Sequence, residues 1–306
     1  MIKVERRRIE TDVASKTVAD TQTLSVVILS YNTRETTLNC LRSLFKHSPT
    51  IGELEAVVID NSSSDGSPEA IEEEFPQVKL IRNSRNRGFA AGCNQGIRAT
   101  DGDVLLLLNS DTLLVDQSLD VMLDFMNRNP DVGIAGGAMI EPNGKPQPSC
   151  QPFPSYQNIL FSKKSLLTTI GGFKHKFDEY RRVPDAVTDV DAVAGGFLFT
   201  RREVLHDVGL LDERFFFYVE DLDFAKRVSQ KGWRVVYVPQ VKAIHMGGES
   251  TSKNPAKCYW WHHKSLLKYF TKHHRKNWPM NAAVGAGLTG HFLLWWLFEH
   301  LPSSRS

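Results

Sequence analysis

Asp103-Val104-Leu105-Leu106-Leu107-Leu108-Asn109-Ser110-Asp111 is the stretch that decides the fold. Its apolar run, Val104 to Leu108, is too short for a membrane span and lacks helical periodicity. It reads as a central strand buried on both faces of a sheet. Open α/β sheets bind their ligands just past the carboxyl ends of such strands, where Asn109, Ser110 and Asp111 stand. An acid there can reach a divalent cation and, through it, a diphosphate. The alternative is a strand ending in an ordinary turn, since Asn, Ser and Asp are turn formers.

Working outward, the first half alternates short apolar strands with helices. Leu24–Leu29 is the first strand and ends at Ser30-Tyr31-Asn32; a helix follows over 35–47, stopped by Pro49. A second strand, Glu55–Ile59, ends at Asp60-Asn61. Next come an acidic helix over 68–74, a third strand over 78–81, and a basic loop, Arg82 to Gly88, that opens a small-residue helix reaching Ala99. After the central strand, 117–127 reads as a helix and 132–135 as a strand. This order implies a mostly parallel sheet with right-handed crossovers. Three of its strands end in polar clusters on one edge, which looks like a site rather than three separate turns.

The second half is less regular. Six prolines fall between 142 and 184, with a short helix expected at 158–169. A strand over 190–200 is interrupted by Gly195-Gly196, which suggests close approach of a backbone or ligand. Arg214-Phe215-Phe216-Phe217-Tyr218-Val219 leads into Glu220-Asp221-Leu222-Asp223 and a helix over 221–231, ended by Gly232. Strands over 233–238 and 241–245 bring in His245.

At 306 residues, 41% hydrophobic and 24% charged, the chain is long enough for a large domain with an appendage. A net charge of +2 argues against a nucleic-acid partner. Cys40, Cys93, Cys150 and Cys258 show no zinc spacing, and free thiols fit a reducing cytosol. Residues 1–22 read as a loosely ordered lead-in without a secretory signal.

These blocks, in this order, resemble a family 2 glycosyltransferase with the GT-A nucleotide-diphospho-sugar transferase fold. Asn86-Arg87-Gly88-Phe89-Ala90-Ala91-Gly92 and the late Glu-Asp-Leu-Asp look most like the bacterial rhamnosyltransferase-type branch. The resemblance covers residues 24–250. It implies a nucleotide-binding half, 23–140, and an acceptor and catalytic half, 141–250. It also implies an inverting transfer from a nucleotide-diphospho-sugar, dTDP-rhamnose as the first choice, to a glycan or lipid-linked acceptor.

Asp60 is then expected at the base or ribose, with Ser30, Tyr31, Asn32 and Asn61 beside the nucleotide. Arg85 or Arg87 is expected at the diphosphate, with Asn86 and Gly88 in the same loop. Asp111 is the expected metal ligand, for Mn²⁺ or Mg²⁺, with His245 as its companion and Asn109 standing where relatives carry an acid. Asp221 is the implied base, and Glu220 and Asp223 are rivals. Two other readings are a binding-only module and a sugar nucleotidyltransferase. The second lacks the glycine loop that it needs after strand one.

Residues 251–306 form a tail. Lys257–Lys276 mixes basic and aromatic residues, as a membrane-surface helix does. Met280–Leu301 is a borderline span; packing on the domain or at a homodimer interface are the alternatives. The resulting expectation is an enzyme at the cytoplasmic face of the membrane.

Overall fold

A computed structural model describes residues 22–157, 183–247 and 255–300. The helix expected at 158–169, nearly all of the lead-in and the end of the tail lie outside the described residues. Strands β1 (Thr23–Ser30), β2 (Glu53–Asp60), β3 (Lys79–Arg82) and β4 (Val104–Asn109) pair in parallel in the order β3-β2-β1-β4. All five residues from Val104 to Leu108 are buried, as a strand covered on both faces requires. Helices α1 (Arg34–Lys46), α2 (Ser67–Glu74), α3 (Phe89–Arg98) and α4 (Ser118–Arg128) connect the first half.

Helix α3 lies close on β1 because its glycines leave room. A Cβ at Gly92 would fall 2.3 Å from Leu29 Cδ1, and one at Gly96 would fall 2.3 Å from Val27 Cγ1. This close packing is what the run of small residues after Gly88 encodes.

Beyond β4 the sheet is mixed. Strands β5 (Thr112–Leu114), β6 (Val132–Ile140), β11 (Phe197–Arg201) and β12 (Arg234–His245) continue it in the order β4-β11-β6-β12-β5. Strand β11 runs antiparallel to both β4 and β6, so it enters the sheet from the edge where β4 ends. Short strands β7 (Pro146–Gln147) and β9 (Thr188–Asp189) pair at the side, and β8 (Cys150–Gln151) pairs with β10 (Ala192–Val193).

Three expectations need correction. The strand expected at 190–200 is two strands separated by a turn at Gly195-Gly196. The two strands expected at 233–245 are one, with a register shift between Val238 and Lys242 that absorbs Pro239. Helix α5 (Arg202–Val208) and strand β5 had no counterpart in the sequence reading. Helix α6 (Glu220–Gln230) begins one residue earlier than expected, at the first acid of Glu-Asp-Leu-Asp.

The tail forms two helices, α7 (Pro255–His273) and α8 (Trp278–His300). Among the described residues, no helix is long and apolar enough to cross a membrane. Tyr269 and Phe270 of α7 are fully buried, and Tyr156 stacks on Phe270 with ring centres 5.0 Å apart. Helix α7 is therefore docked on the domain. Helix α8 leaves Trp278, Met280, Leu293, Leu294, Trp296 and Leu297 exposed.

Candidate active site

Strand register brings the three polar clusters together. Ser30 is level with Asp60, and Leu29 is level with Asn109. The ends of β1, β2 and β4 therefore form one edge. Gly195-Gly196 turns onto the same edge, because Phe197 pairs with Leu108 and the Asn109 N–H donates to the Gly196 carbonyl at 2.9 Å.

The two carboxylate oxygens of Asp60 stand in different surroundings. Oδ2 accepts the backbone N–H groups of Ser62 and Ser63 at 3.1 and 2.9 Å, an Asx-type turn. Oδ1 is buried and, among the described residues, has no hydrogen-bond partner. A buried acceptor left open in this way costs roughly 1–3 kcal/mol and marks a place for a donor from outside. Tyr31 is 39% exposed beside it. Asn32 is left-handed at φ 53°, and its Oδ1 accepts the Ser64 N–H at 2.8 Å, bracing the β1 end against the β2 end.

Several other expected residues support the edge instead of lining it. Ser30 and Ser110 meet in a buried hydroxyl network, where Thr33 Oγ1 lies 3.3 Å from Ser30 Oγ and 3.2 Å from Ser110 Oγ. Asn61 donates to Asn86 Oδ1 and to the Gly88 carbonyl, and accepts from Asn83 Nδ2 and the Arg87 N–H. Asn61 and Asn86 thus shape the basic loop. That shape leaves Arg85 and Arg87 exposed on it. Gly88 has φ 85°, and a Cβ there would lie 2.4 Å from the Phe216 carbonyl oxygen. Only glycine suits both constraints.

Asp111 and His245 converge. Strand β5 pairs antiparallel with the end of β12, setting Thr112 opposite His245. The Met246 N–H donates to the Asp111 carbonyl at 2.9 Å, and His245 Nε2 lies 3.3 Å from Asp111 Oδ1. Gln147 grips His245 twice: its Oε1 is 2.8 Å from Nδ1, and its Nε2 donates to the His245 carbonyl at 3.1 Å. Both ring nitrogens thus face an acceptor oxygen; a neutral ring that donates from Nδ1 to Gln147 would keep its Nε2 lone pair for a cation shared with Asp111. Sequence reading missed Gln147 because it stands in the proline-rich excursion without any local motif. Among the described residues, no cluster of three metal-ligating side chains occurs. A carboxylate and an imidazole suit a divalent cation that takes its other ligands from phosphate and water.

The Gly195-Gly196 turn receives two side chains. A Cβ at Gly196 would lie 2.3 Å from Asn109 Nδ2, and one at Gly195 would lie 3.1 Å from Asp221 Cβ. Asp221 is fixed there by two backbone donors, Gly195 N–H to Oδ2 at 3.0 Å and Leu222 N–H to Oδ1 at 2.8 Å. The close approach expected at these glycines is thus made by side chains of the site itself.

The three acids of α6 occupy different environments. Glu220 is 6% exposed, and its Oε2 has no partner among the described residues. Burial, reinforced by the Asp221 charge, pushes its carboxyl well above the usual range. Burial also raises Asp221, against the pull of its backbone donors. Asp223 faces the other way. It is fully buried, with Arg227, Lys272 and His273 at 2.9, 2.6 and 2.8 Å. Burial alone would raise it, but the hydrogen bonds from His273 and Lys272 and the Arg227 charge hold it below the usual range. Asp223 is an anchor between α6 and α7.

The residues ahead of these acids are strained. Tyr218 and Val219 are both left-handed, with φ of 66° and 73°. Two such residues in succession, one β-branched, cost on the order of 1–3 kcal/mol each and persist where the surroundings impose them.

Residues 25–209 match the family Glycosyl transferase family 2. The chain is 29% identical over 274 residues to the N-acetylglucosaminyl-diphospho-decaprenol L-rhamnosyltransferase of Mycobacterium tuberculosis (strain ATCC 25618 / H37Rv), across 84% of this chain and 87% of that protein. It is 27% identical over 177 residues to rhamnosyltransferase WbbL of Escherichia coli (strain K12), across 57% of this chain and 64% of that one. In three dimensions it is similar to the mannosyltransferase PcManGT from Pyrobaculum calidifontis, solved with GDP-Man and Mn²⁺. The TM-score is 0.58 at 18% identity, over 89% of this chain and 76% of that one. The same fold appears in GalNAc-T7, with a TM-score of 0.59 at 18% identity, over 82% of this chain and 48% of that one. With that match over more than half its length, this chain belongs to glycosyltransferase family 2 and is an enzyme of the GT-A fold.

Proposed function

We propose that the enzyme transfers a rhamnosyl group, with inversion, from a nucleoside-diphosphate donor to a hydroxyl of a lipid-linked glycan acceptor in cell-surface polysaccharide synthesis. The observation that carries the reaction is the Asp221 carboxylate, held at the Gly195-Gly196 turn beside Asn109 on the ligand edge. The sugar and acceptor classes rest on the rhamnosyltransferases that the chain is similar to.

In this reading residues 23–140 serve the nucleotide, and 141–250 serve the acceptor and the chemistry. Asp60 Oδ1 accepts from the base or ribose, Tyr31 and Asn32 flank the nucleotide, and Arg85 or Arg87 donates to the diphosphate. Asp111 and His245 hold Mn²⁺ or Mg²⁺, which supplies charge to stabilise the leaving diphosphate. Asp221 takes the proton of the acceptor hydroxyl. The freed oxygen attacks C1 of the sugar from the face opposite the diphosphate, and the C1–O bond to the diphosphate breaks. One base and one displacement invert the anomeric centre.

Of the neighbouring carboxyls, Glu220 is driven toward its protonated form, and Asp223 is paired with the cations of Arg227 and Lys272 and hydrogen-bonded to His273. Burial raises Asp221 as well, but the backbone donors of Gly195 and Leu222 favour its anion, and it is the group we assign as the base.

The exposed apolar side chains of α8, together with exposed Lys264, Arg275 and Lys276, suit the surface of an anionic membrane at its cytoplasmic face. A donor screen that reads nucleoside diphosphate release, with and without Mn²⁺ or Mg²⁺, tests the assignment. Metal-dependent release from dTDP-rhamnose in the presence of a lipid-linked acceptor is expected. Release from another nucleotide sugar in its place would overturn the choice of donor.

A further inference from the structure

Helix α7 lies outside the part of the chain matched to the family, which ends at residue 209. It nevertheless grips the segment that delivers Asp221. Ser265 donates its hydroxyl to the Phe217 carbonyl at 2.9 Å, and Lys268 Nζ donates to the Arg214 carbonyl. Trp261 stacks on Phe216 with ring centres 4.4 Å apart and planes 23° apart. On the far side of the segment, the Phe89 N–H donates to the Phe216 carbonyl at 2.7 Å.

Residues 214–217 are therefore held from both sides, immediately before the two left-handed residues Tyr218 and Val219. A strained turn needs such holding, since without it the backbone relaxes toward ordinary dihedrals. Any relaxation moves the start of α6, and Asp221 is its second residue. Among the described residues, neither the Ser265 nor the Lys268 side chain hydrogen-bonds to a residue expected at the nucleotide.

We propose that Ser265 and Lys268 are positioning residues: α7 clamps the turn over 214–219 so that Asp221 is aimed at the acceptor hydroxyl. This rests on Asp221 as the base. The clamp predicts a signature unlike general damage, because misaiming a base slows the chemical step and leaves nucleotide binding alone.

The test compares Ser265→Ala, Lys268→Met and Lys268→Arg with Asp221→Asn in the full chain, measuring kcat, donor KM and nucleoside-diphosphate affinity. Ser265→Ala and Lys268→Met are expected to lower kcat roughly 10- to 100-fold with donor KM and nucleotide affinity unchanged. Lys268→Arg, which keeps a charged donor, is expected to recover most of the rate. If Asp221→Asn is inactive while Ser265→Ala and Lys268→Met keep kcat within about twofold, the clamp is wrong and the base assignment stands. If Asp221→Asn still turns over, the base reading fails and the clamp fails with it. Nucleotide affinity falling in step with kcat would also overturn the clamp.

Discussion

The Asp221 carboxylate accepts the Gly195 N–H at 3.0 Å, and a Cβ added at Gly195 would lie only 3.1 Å from Asp221 Cβ. Two segments that are distant in sequence are thereby fitted to each other without slack. Gly195→Ala is expected to displace Asp221 by a few tenths of an ångström and lower kcat about 10- to 100-fold, with little change in donor KM. Gly196→Ala meets Asn109 more severely, with Nδ2 at 2.3 Å. It is expected to cost about 1–3 kcal/mol of stability as well, checked by denaturant unfolding.

Gln147 orients His245 through Nδ1 while Nε2 faces Asp111. Gln147→Leu removes both of its hydrogen bonds to His245. The apparent affinity for Mn²⁺ or Mg²⁺, read from the metal dependence of turnover, is expected to weaken roughly 10- to 100-fold. Saturating metal should restore most of the rate. A rate that stays low at saturating metal would contradict an orienting role.

Burial, aided by the Asp221 charge, raises the Glu220 carboxyl well above its unfolded value. Below the ordinary carboxylate range both folded and unfolded forms are protonated, and no penalty arises. As pH climbs through the folded value, the unfolded chain ionises first and stability is lost. Glu220→Gln removes this titration. The melting-temperature difference between variant and native protein should therefore move in the variant's favour as pH rises above the ordinary carboxylate range, about pH 4. A difference independent of pH would show that Glu220 ionises freely in the folded protein.

Much of this site is legible in the sequence because it stands at the ends of local apolar runs. The runs Leu24–Leu29, Glu55–Ile59 and Val104–Leu108 place Asp60 and Asp111 on one edge once a parallel sheet is assumed. What stayed hidden depends on long-range pairing. Strand β5 is only three residues long and exists through its partner β12, where Thr112 pairs with His245, 133 residues away. Gln147 reaches His245 across 98 positions. Asp223 looks like Asp221 in a one-dimensional reading, and Lys272 and His273 of α7 tell them apart. Ser30, Ser110, Asn61 and Asn86 belong to the site's framework, a distinction that residue type alone does not make.

Helix α8 exposes Leu294 and Leu297 at 45% and 48%. Leu294→Glu combined with Leu297→Glu leaves the buried contacts of α7 untouched and puts two charges on the apolar face. Co-sedimentation of the full chain with vesicles containing anionic lipid is expected to fall at least about tenfold, with release of nucleoside diphosphate from the donor in the presence of a soluble acceptor unchanged. Equal sedimentation of variant and native protein would remove α8 as the contact.

Asp221→Asn keeps the shape of the side chain and removes its ability to take a proton, so it tests the central claim most directly. The measurement is turnover by nucleoside diphosphate release alongside calorimetric binding of the nucleoside diphosphate with metal. The expected result is a loss of kcat of roughly 10²- to 10⁴-fold with binding unchanged. Turnover within about threefold of the native rate would contradict the account and show that the base lies elsewhere.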